Sequence, residues 1–259
     1  MRQFAAEIIS NRQIASGYFE LRFFWPDAGE APLPGQFVSL KSYGITDLVL
    51  RRPFAVAAFD SAGHEAHMIY QRKGKATAAL AGRLAGECLD VIGPLGNSFP
   101  APSGNRPILI GGGVGLGPIL YFGNWLAERG RRPLVILGFR GASLVPELSS
   151  RCRFEPVLCT DDGSTGFRGT AVDYLRELPK AELSGAELYA CGPNPMMSGC
   201  HSFAGDFGLA CWVSMEQIMG CGVGACMGCA IPVAGSASYA RVCTEGPVFS
   251  SRTIAWTSL

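Results

Sequence analysis

Charge is sparse and balanced in this sequence: 22 Lys and Arg stand against 21 Asp and Glu in 259 residues, a net charge of +1. No basic run is present to track a phosphate backbone or an anionic bilayer, so neither nucleic acid nor a membrane surface is an expected partner. A secretory leader is missing as well, because Glu7 interrupts any apolar run in "MRQFAAEIIS", and a cytoplasmic protein is expected. Only residues 108–127, "ILIGGGVGLGPILYFGNWLA", stay free of charge over the length a bilayer needs. Their glycines, proline and asparagine fit a buried strand, a tight loop and a helix better than a span. Histidine is scarce: His64, His67 and His201 show neither metal-ligand spacing nor pairing with a nucleophile, so they read as surface or core residues and no catalytic residue is expected. Ten cysteines, about 4% of the chain, fall below the roughly 8–10% of a disulfide scaffold. A chain of this length buries cores without staples.

What is there divides into three parts. Residues 1–100 have period two, as in "FELRFFW", where Phe19, Leu21, Phe23 and Trp25 alternate with other residues; "GQFVSL", "PFAVAAF" and "AHMIYQR" follow between Gly/Pro-rich turns. This predicts an antiparallel β-barrel. After "APSGNRP" (101–107), strand and helix patterns alternate over residues 101–210. "ILIGG", "LVILGF", "FEPVLC" and "AELYAC" read as strands, and a helix with Leu116, Ile119, Leu120 and Gly123 on one face runs to near Gly130. Asn194 before Pro195 reads as the N-cap of a helix reaching Phe207. A doubly wound α/β domain is expected here, and a small cysteine-rich module over 211–259.

"GGGVGLGP" (111–118) follows a strand and opens a helix, a context in which backbone N–H groups cradle a pyrophosphate. It lacks the usual dinucleotide spacing, and a turn shaped only for tight strand-helix packing remains the alternative. "RRPFAV" (51–56) and "YQRKGKATAAL" (70–80) place basic residues in an apolar barrel. Arg52 could grip a pyrophosphate with its planar fork, or the charges could simply be solvated.

Cys221, Cys226, Cys229 and Cys243 are the most specific signal. Four, two and thirteen residues separate them, the plant-type pattern of [2Fe–2S] proteins. Gly222, Gly224 and Gly228 would let the loop wrap closely and offer N–H groups to the sulfurs. Zinc is the alternative, since four thiolates also suit a closed tetrahedral site, although such sites usually pair one C-x2-C with another. Cys88, Cys152, Cys159, Cys200 and Cys211 need no role beyond that of small hydrophobes; Cys191 is a possible exception.

In order along the chain, "RRPFAV", "YQRKGKAT", "GPLGNSF", "GGGVGLGP", "CTDDGSTGFRG", "YACGPNPMM", "SMEQIMGCGVGACMGC" and "VCTEGPVF" resemble the ferredoxin-reductase-like flavoproteins, in particular the electron-transfer subunits of type B dihydroorotate dehydrogenases. The resemblance implies a flavin-binding barrel, a nicotinamide-nucleotide domain and a C-terminal [2Fe–2S] module. It implies that Arg52, Pro53 and Phe54 meet FAD, with Arg52 on the pyrophosphate. Tyr70, Gly74, Lys75, Ala76 and Thr77 would form the second flavin element. Ala55 departs from the family, which usually has Ser or Thr there, so one hydroxyl contact to the flavin is lost. Gly111, Gly112, Gly113, Gly115 and Pro118 resemble the nucleotide turn, and Cys191, Gly192 and Pro193 the segment that reaches the nicotinamide. Asp161 and Asp162 would repel a 2′-phosphate and favour NAD over NADP.

The same resemblance implies a partner, an FMN-containing catalytic subunit that oxidises dihydroorotate, in a heterotetramer of two copies of each. Two other readings stay open. One is the small subunit of a ferredoxin-dependent NAD(P)H reductase, in which the position of Cys221 is usually aspartate. The other is a zinc-stapled module that senses nucleotide without catalysis.

Overall fold

A computed structural model describes residues 1–26, 30–42, 49–104 and 106–259; Asn105 of the 101–107 connection lies outside them. Strands β1 (Arg2–Ala15), β2 (Tyr18–Phe24), β3 (Phe37–Ser42), β4 (Arg52–Asp60), β5 (Glu65–Gln71) and β6 (Cys88–Leu95) close an antiparallel barrel in the order β1-β2-β5-β4-β3-β6. The period-two pattern has the expected cause: Phe19, Leu21, Phe23 and Trp25 all point into the core with Val38, Leu40, Val56, Met68 and Val91. Helix α1 (Lys75–Ala81) follows β5 and inserts Leu80 into that core. Asn11 tethers it, donating to the carbonyls of Leu80 (2.7 Å) and Arg83 (3.1 Å).

The second half forms a seven-stranded sheet. Strand β7 (Arg106–Gly112) leads through a short 3-10 turn into α2 (Leu116–Ala127), followed by β8 (Leu134–Phe139), β9 (Val157–Thr160), β10 (Phe167–Arg168), α3 (Ala171–Glu177) and α4 (Lys180–Leu183). Strand β11 (Ala186–Cys191), α5 (Asn194–Asp206) and β12 (Ala210–Ser214) complete the alternation. With β15 (Val248–Ser250) added from the tail, the sheet order is β10-β9-β8-β7-β11-β12-β15, parallel throughout except at the last pair. Among the described residues no helix is long and apolar enough to cross a membrane; the uncharged 108–127 segment is β7, a turn and α2.

Three expectations need correction. Helix α2 ends at Ala127, where the chain turns back through bonds such as Arg131 N–H to Leu126 O (3.0 Å). Its residues from Leu116 to Gly123 are all buried, so it carries no single apolar face. Helix α5 starts one residue early: Pro193 is the cap, its carbonyl accepting from Met196 (2.9 Å) and Met197 (3.1 Å), and Asn194 is already helical.

The third correction concerns the tail. Strands β13 (Ala230–Pro232) and β14 (Tyr239–Arg241) form a separate hairpin ladder, but β15 (Val248–Ser250) returns and pairs antiparallel with β12. The module is therefore stitched into the nucleotide sheet, and β12 itself crosses the 210/211 boundary. It is tied to the barrel too. Asn97 donates to the carbonyls of Glu245 (3.1 Å) and Val248 (2.8 Å) and accepts from Val248 N–H (2.9 Å), so "GPLGNSF" and "VCTEGPVF" face one another.

The two larger halves are clasped at a buried carboxylate. Glu20 of β2, 3% exposed, accepts from Arg12 and pairs with Arg151 from the β8–β9 connection. Tyr121 of α2 adds a hydroxyl bond to Pro32 O (2.6 Å).

Candidate functional site

Two neighbouring arginines of "RRPFAV" have opposite fates. Arg51 is spent on structure, its guanidinium bonded to the carbonyl of Asp90 (2.9 Å) and paired with the Asp90 carboxylate. Arg52 donates only to the carbonyls of Leu50 (2.8 Å) and Arg51 (3.1 Å) and meets no carboxylate among the described residues. Its charge is available to an anion. Arg52, Phe54 and Ala76 line one shallow groove together with Leu40, Lys41 and Leu80, so the two basic motifs meet on the barrel wall. Pro53 and Ala55 sit half-buried between them on β4, opposite Ser39 and Phe37 of β3.

Gly74 and Lys75 are exposed at the start of α1. Thr77 is committed to that turn, its hydroxyl accepting from Lys73 N–H (2.9 Å) and Gly74 N–H (3.1 Å). Tyr70 is not at the surface. It is 2% exposed, donates to Asn11 (2.9 Å) and packs edge-on to Phe54 at 5.8 Å, and burial pushes its hydroxyl up to about 12. Its ring packs on Phe54 and its hydroxyl is engaged with Asn11.

The nucleotide motifs converge at the carboxyl ends of β7, β8, β9 and β11, where ligands bind in sheets of this class. Gly111 of β7 lies beside Cys191 of β11 in register. A Cβ at Gly115 would stand 2.1 Å from the Cys191 carbonyl oxygen and 2.7 Å from Gly192 N, so only glycine lets these two segments touch. Gly112 is similarly close to Pro193 and Met196, and Pro118 is buried in the first turn of α2. Close packing thus accounts for Gly111, Gly112 and Gly115; Gly113 is the member of the turn with room, facing the Tyr18 hydroxyl. The Cys191 thiol is pushed up to about 12 by burial and stays protonated.

Asp161 and Asp162 follow β9, their N–H groups donating to the carbonyls of Phe139 (3.0 Å) and Arg140 (3.4 Å). Asp162 also accepts from Ser164 Oγ (2.5 Å) and N–H (2.9 Å), bonds that hold its carboxyl below the usual range. Asp161, Asp162 and Arg140 are all exposed.

The four cysteines stand in two pairs. Cys221 is joined to Cys226, and Cys243 to Cys229, by a backbone N–H bond to the other cysteine's sulfur. Cys221 Sγ accepts N–H bonds from Val223 (3.4 Å) and Ala225 (3.2 Å), Cys226 Sγ from Cys221 (3.4 Å) and Cys229 Sγ from Cys243 (3.5 Å). Gly224 N–H is a further donor, to the Cys243 thiol, as expected of a glycine-rich loop. Gly222 and Gly224 also supply left-handed turns, at φ +71° and +85°, that close the loop around Cys221. The Val223 N–H, with those of Cys226 and Ala225 and the Cys226 side chain, pushes the Cys221 thiol down to about 6, whereas burial and then Cys229 push Cys243 up to about 11.

Among the described residues no three His, Cys, Asp or Glu side chains are arranged to hold one metal ion. Four thiols in two neighbouring pairs suit a two-iron cluster better than a single tetrahedral ion. The pairs also differ in access. Cys229 and Cys243 are 2% exposed within a core that includes Phe37 and Leu95 of the barrel, while Cys226 is exposed among Ile218, Val223 and Met227.

His201 Nδ1 lies 3.0 Å from the Ser251 hydroxyl, and its ring stacks on Trp256. Ser251 is 1% exposed, so the pair anchors the C-terminal segment to α5, a packing role.

Residues 216–255 match the family described as the iron-sulfur cluster binding domain of dihydroorotate dehydrogenase B. The chain is 38% identical over 248 residues to a dihydroorotate dehydrogenase B (NAD(+)), electron transfer subunit, of Geobacillus thermodenitrificans, covering 93% of this chain and 94% of the relative. It is 39% identical, over the same shares, to the corresponding subunit of Bacillus caldolyticus. Among solved structures, that of an NADH-dependent reduced ferredoxin-NADP oxidoreductase superposes with a TM-score of 0.85 at 29% identity, over 98% of this chain and 91% of that one. A ferredoxin NADP+ reductase from Neisseria gonorrhoeae with bound FAD and NADP shares the fold at a TM-score of 0.68 and 15% identity, over 80% and 92%.

Proposed function

Because this chain belongs to the family of dihydroorotate dehydrogenase B electron transfer subunits, we propose that it carries electrons from the FMN of a dihydroorotate-oxidising catalytic subunit to NAD⁺, in a heterotetramer of two copies of each chain. FAD, a [2Fe–2S] cluster and NAD are its redox groups: nicotinamide exchanges a hydride, the cluster passes single electrons, and flavin can exchange with both.

This chain's residues divide that work by position. Arg52 holds the FAD pyrophosphate, Phe54 and Ala76 shape the groove beside it, and Tyr70 fixes Phe54. Gly113 and the start of α2 receive the nucleotide pyrophosphate, Cys191–Pro193 border the nicotinamide, and Asp161 and Asp162 select against a 2′-phosphate. Cys221 and Cys226 hold one iron, Cys229 and Cys243 the other. The observation that carries the reading is the placement of these sulfurs: Cys229 and Cys243 are buried in a core shared with Phe37 and Leu95 of the barrel, the loop of Cys221 lies against Ser39 of the barrel, and Cys226 is exposed. A relay between an internal flavin and an external partner needs both faces. We assign residues 1–100 to FAD and 101–210 to the nucleotide, and extend the cysteine module's attachment into β12.

Among the described residues the motifs of the site are all assigned to nucleotide binding or to the cluster, so dihydroorotate should be oxidised only by the partner. The test assays NAD⁺ reduction by dihydroorotate with this chain alone, the partner alone and the two together. Turnover only in the mixture supports the reading. Turnover by this chain alone would expose a catalytic site outside it, and reduction of ferredoxin but no response to the partner would favour the reductase suggested by the 29% identical neighbour.

A further inference from the structure

One guanidinium reaches both halves of the cysteine set. Arg241, at the end of β14 and two residues before Cys243, donates from Nη1 to the carbonyl of Gly224 (2.8 Å), inside the loop that carries Cys221 and Cys226. The remaining edge of the fork is filled by Glu245: Arg241 Nε lies 3.1 and 3.0 Å from its two carboxylate oxygens, and Nη2 pairs with it as well. The backbone locks the arrangement, with Arg241 N–H donating to the Glu245 carboxylate (2.6 Å) and Glu245 N–H to the Arg241 carbonyl (2.9 Å). A fixed positive and a fixed negative charge thus stand two residues to either side of Cys243.

We propose that Arg241 and Glu245 are positioning residues that set the reduction potential of the iron–sulfur cluster through the opposite signs of their charges, Arg241 also bracketing the two cysteine pairs. The inference rests on the assignment of the four cysteines to one cluster. Reduction adds a negative charge at the sulfurs. A nearby guanidinium stabilises that charge and raises the potential; a nearby carboxylate does the reverse. In the intact pair the two effects oppose, so each appears when its partner is removed.

The experiment is a potentiometric titration of the purified full-length holoprotein, followed by visible absorption and electron paramagnetic resonance. Arg241→Gln should lower the cluster midpoint, Glu245→Gln should raise it, and Arg241→Lys should fall between wild type and Arg241→Gln. Both shifts should shrink as salt is added, because the two side chains are 34% and 42% exposed. Shifts of the same sign, or none, overturn the proposal. Should Arg241→Gln lose its cluster, Glu245→Gln still decides, because it keeps the bond to Gly224; a midpoint at or below wild type refutes the charge argument. A wild-type chain lacking iron and acid-labile sulfide would instead remove the cysteine assignment itself.

Discussion

Arg51 and Arg52 are adjacent in sequence and should fail in different assays. Arg52 has no carboxylate partner among the described residues and bonds only to two carbonyls of its own turn, so Arg52→Ala removes nothing the barrel depends on. Its stability should stay within about 0.5 kcal/mol of wild type. The FAD pyrophosphate, however, would lose a charge-assisted contact of about 1.5–3 kcal/mol. That corresponds to a dissociation constant raised roughly ten- to 150-fold. Arg51→Ala reverses the pattern: it strips the Asp90 carboxylate, 8% exposed, of its cation and leaves only the Gln3 amide at 2.9 and 3.1 Å. Breaking such a pair costs about 2–4 kcal/mol, reduced from the fully buried case by the remaining amide. Flavin fluorescence gives the affinity and a thermal melt of the FAD-free protein gives the stability; melting without flavin matters because bound ligand stabilises by mass action. Unchanged FAD affinity in Arg52→Ala would make Arg52 a surface charge and dissolve the argument.

Three further outcomes are expected. Cys226→Ala should abolish iron and acid-labile sulfide, each near two per chain in wild type, while leaving FAD bound; colourimetric iron and sulfide assays decide, and zinc in the anaerobically purified wild type would contradict the cluster. Asp161→Asn with Asp162→Asn should narrow the preference for NADH over NADPH, read as the ratio of kcat/KM values, and a wild-type preference for NADPH would overturn their placement. His67 is depressed mainly by burial, with Glu20 and Glu65 pulling its pKa up and Arg22 and Arg151 down. Its folded pKa lies below the unfolded one, so its contribution is full above about pH 6.5 and is lost as pH falls through the lower folded value. His67→Gln should therefore flatten the loss of unfolding free energy between about pH 6.5 and 5 in urea titrations; an unaltered slope would assign the acid sensitivity to other groups.

The parts of this fold legible in the sequence are those in which one residue's environment follows from its near neighbours. Period two placed Leu21 and Phe23 inside a barrel because the pleat alone decides which face they take. The cysteine spacing was legible for a similar reason, since loop length limits which thiols can share a cluster. What local pattern could not reach was contact across the chain. Asn97 appeared in a motif without a task, yet it joins residues about 150 positions apart to seat the tail on the barrel. The pairing of β15 with β12 was hidden by the three-residue length of β15, too short to show a period. Tyr70 followed the motif in sequence, but the pleat turned its ring inward to Asn11.

That weaving of the tail bears directly on electron transfer. A one-electron carrier is useful only at short, constant distances from donor and acceptor, and a module hung on a flexible linker would meet neither condition. Here the segment holding Cys243 is fixed from three sides: β15 pairs with the nucleotide sheet, Asn97 binds it to the barrel, and His201 with Trp256 pins Ser251 to α5. The loop of Cys221 in turn rests on the barrel, where a Cβ at Gly222 would lie 3.6 Å from the hydroxyl of Ser39. Ser39 is opposite Pro53 in the β3–β4 ladder, and Arg52 is the next residue along. The strand that carries the flavin motif is thus one ladder step from the strand that supports the cysteine loop. The spacing of those two strands is fixed by their ladder, so the support beneath the cysteine loop and the flavin motif are held in one register.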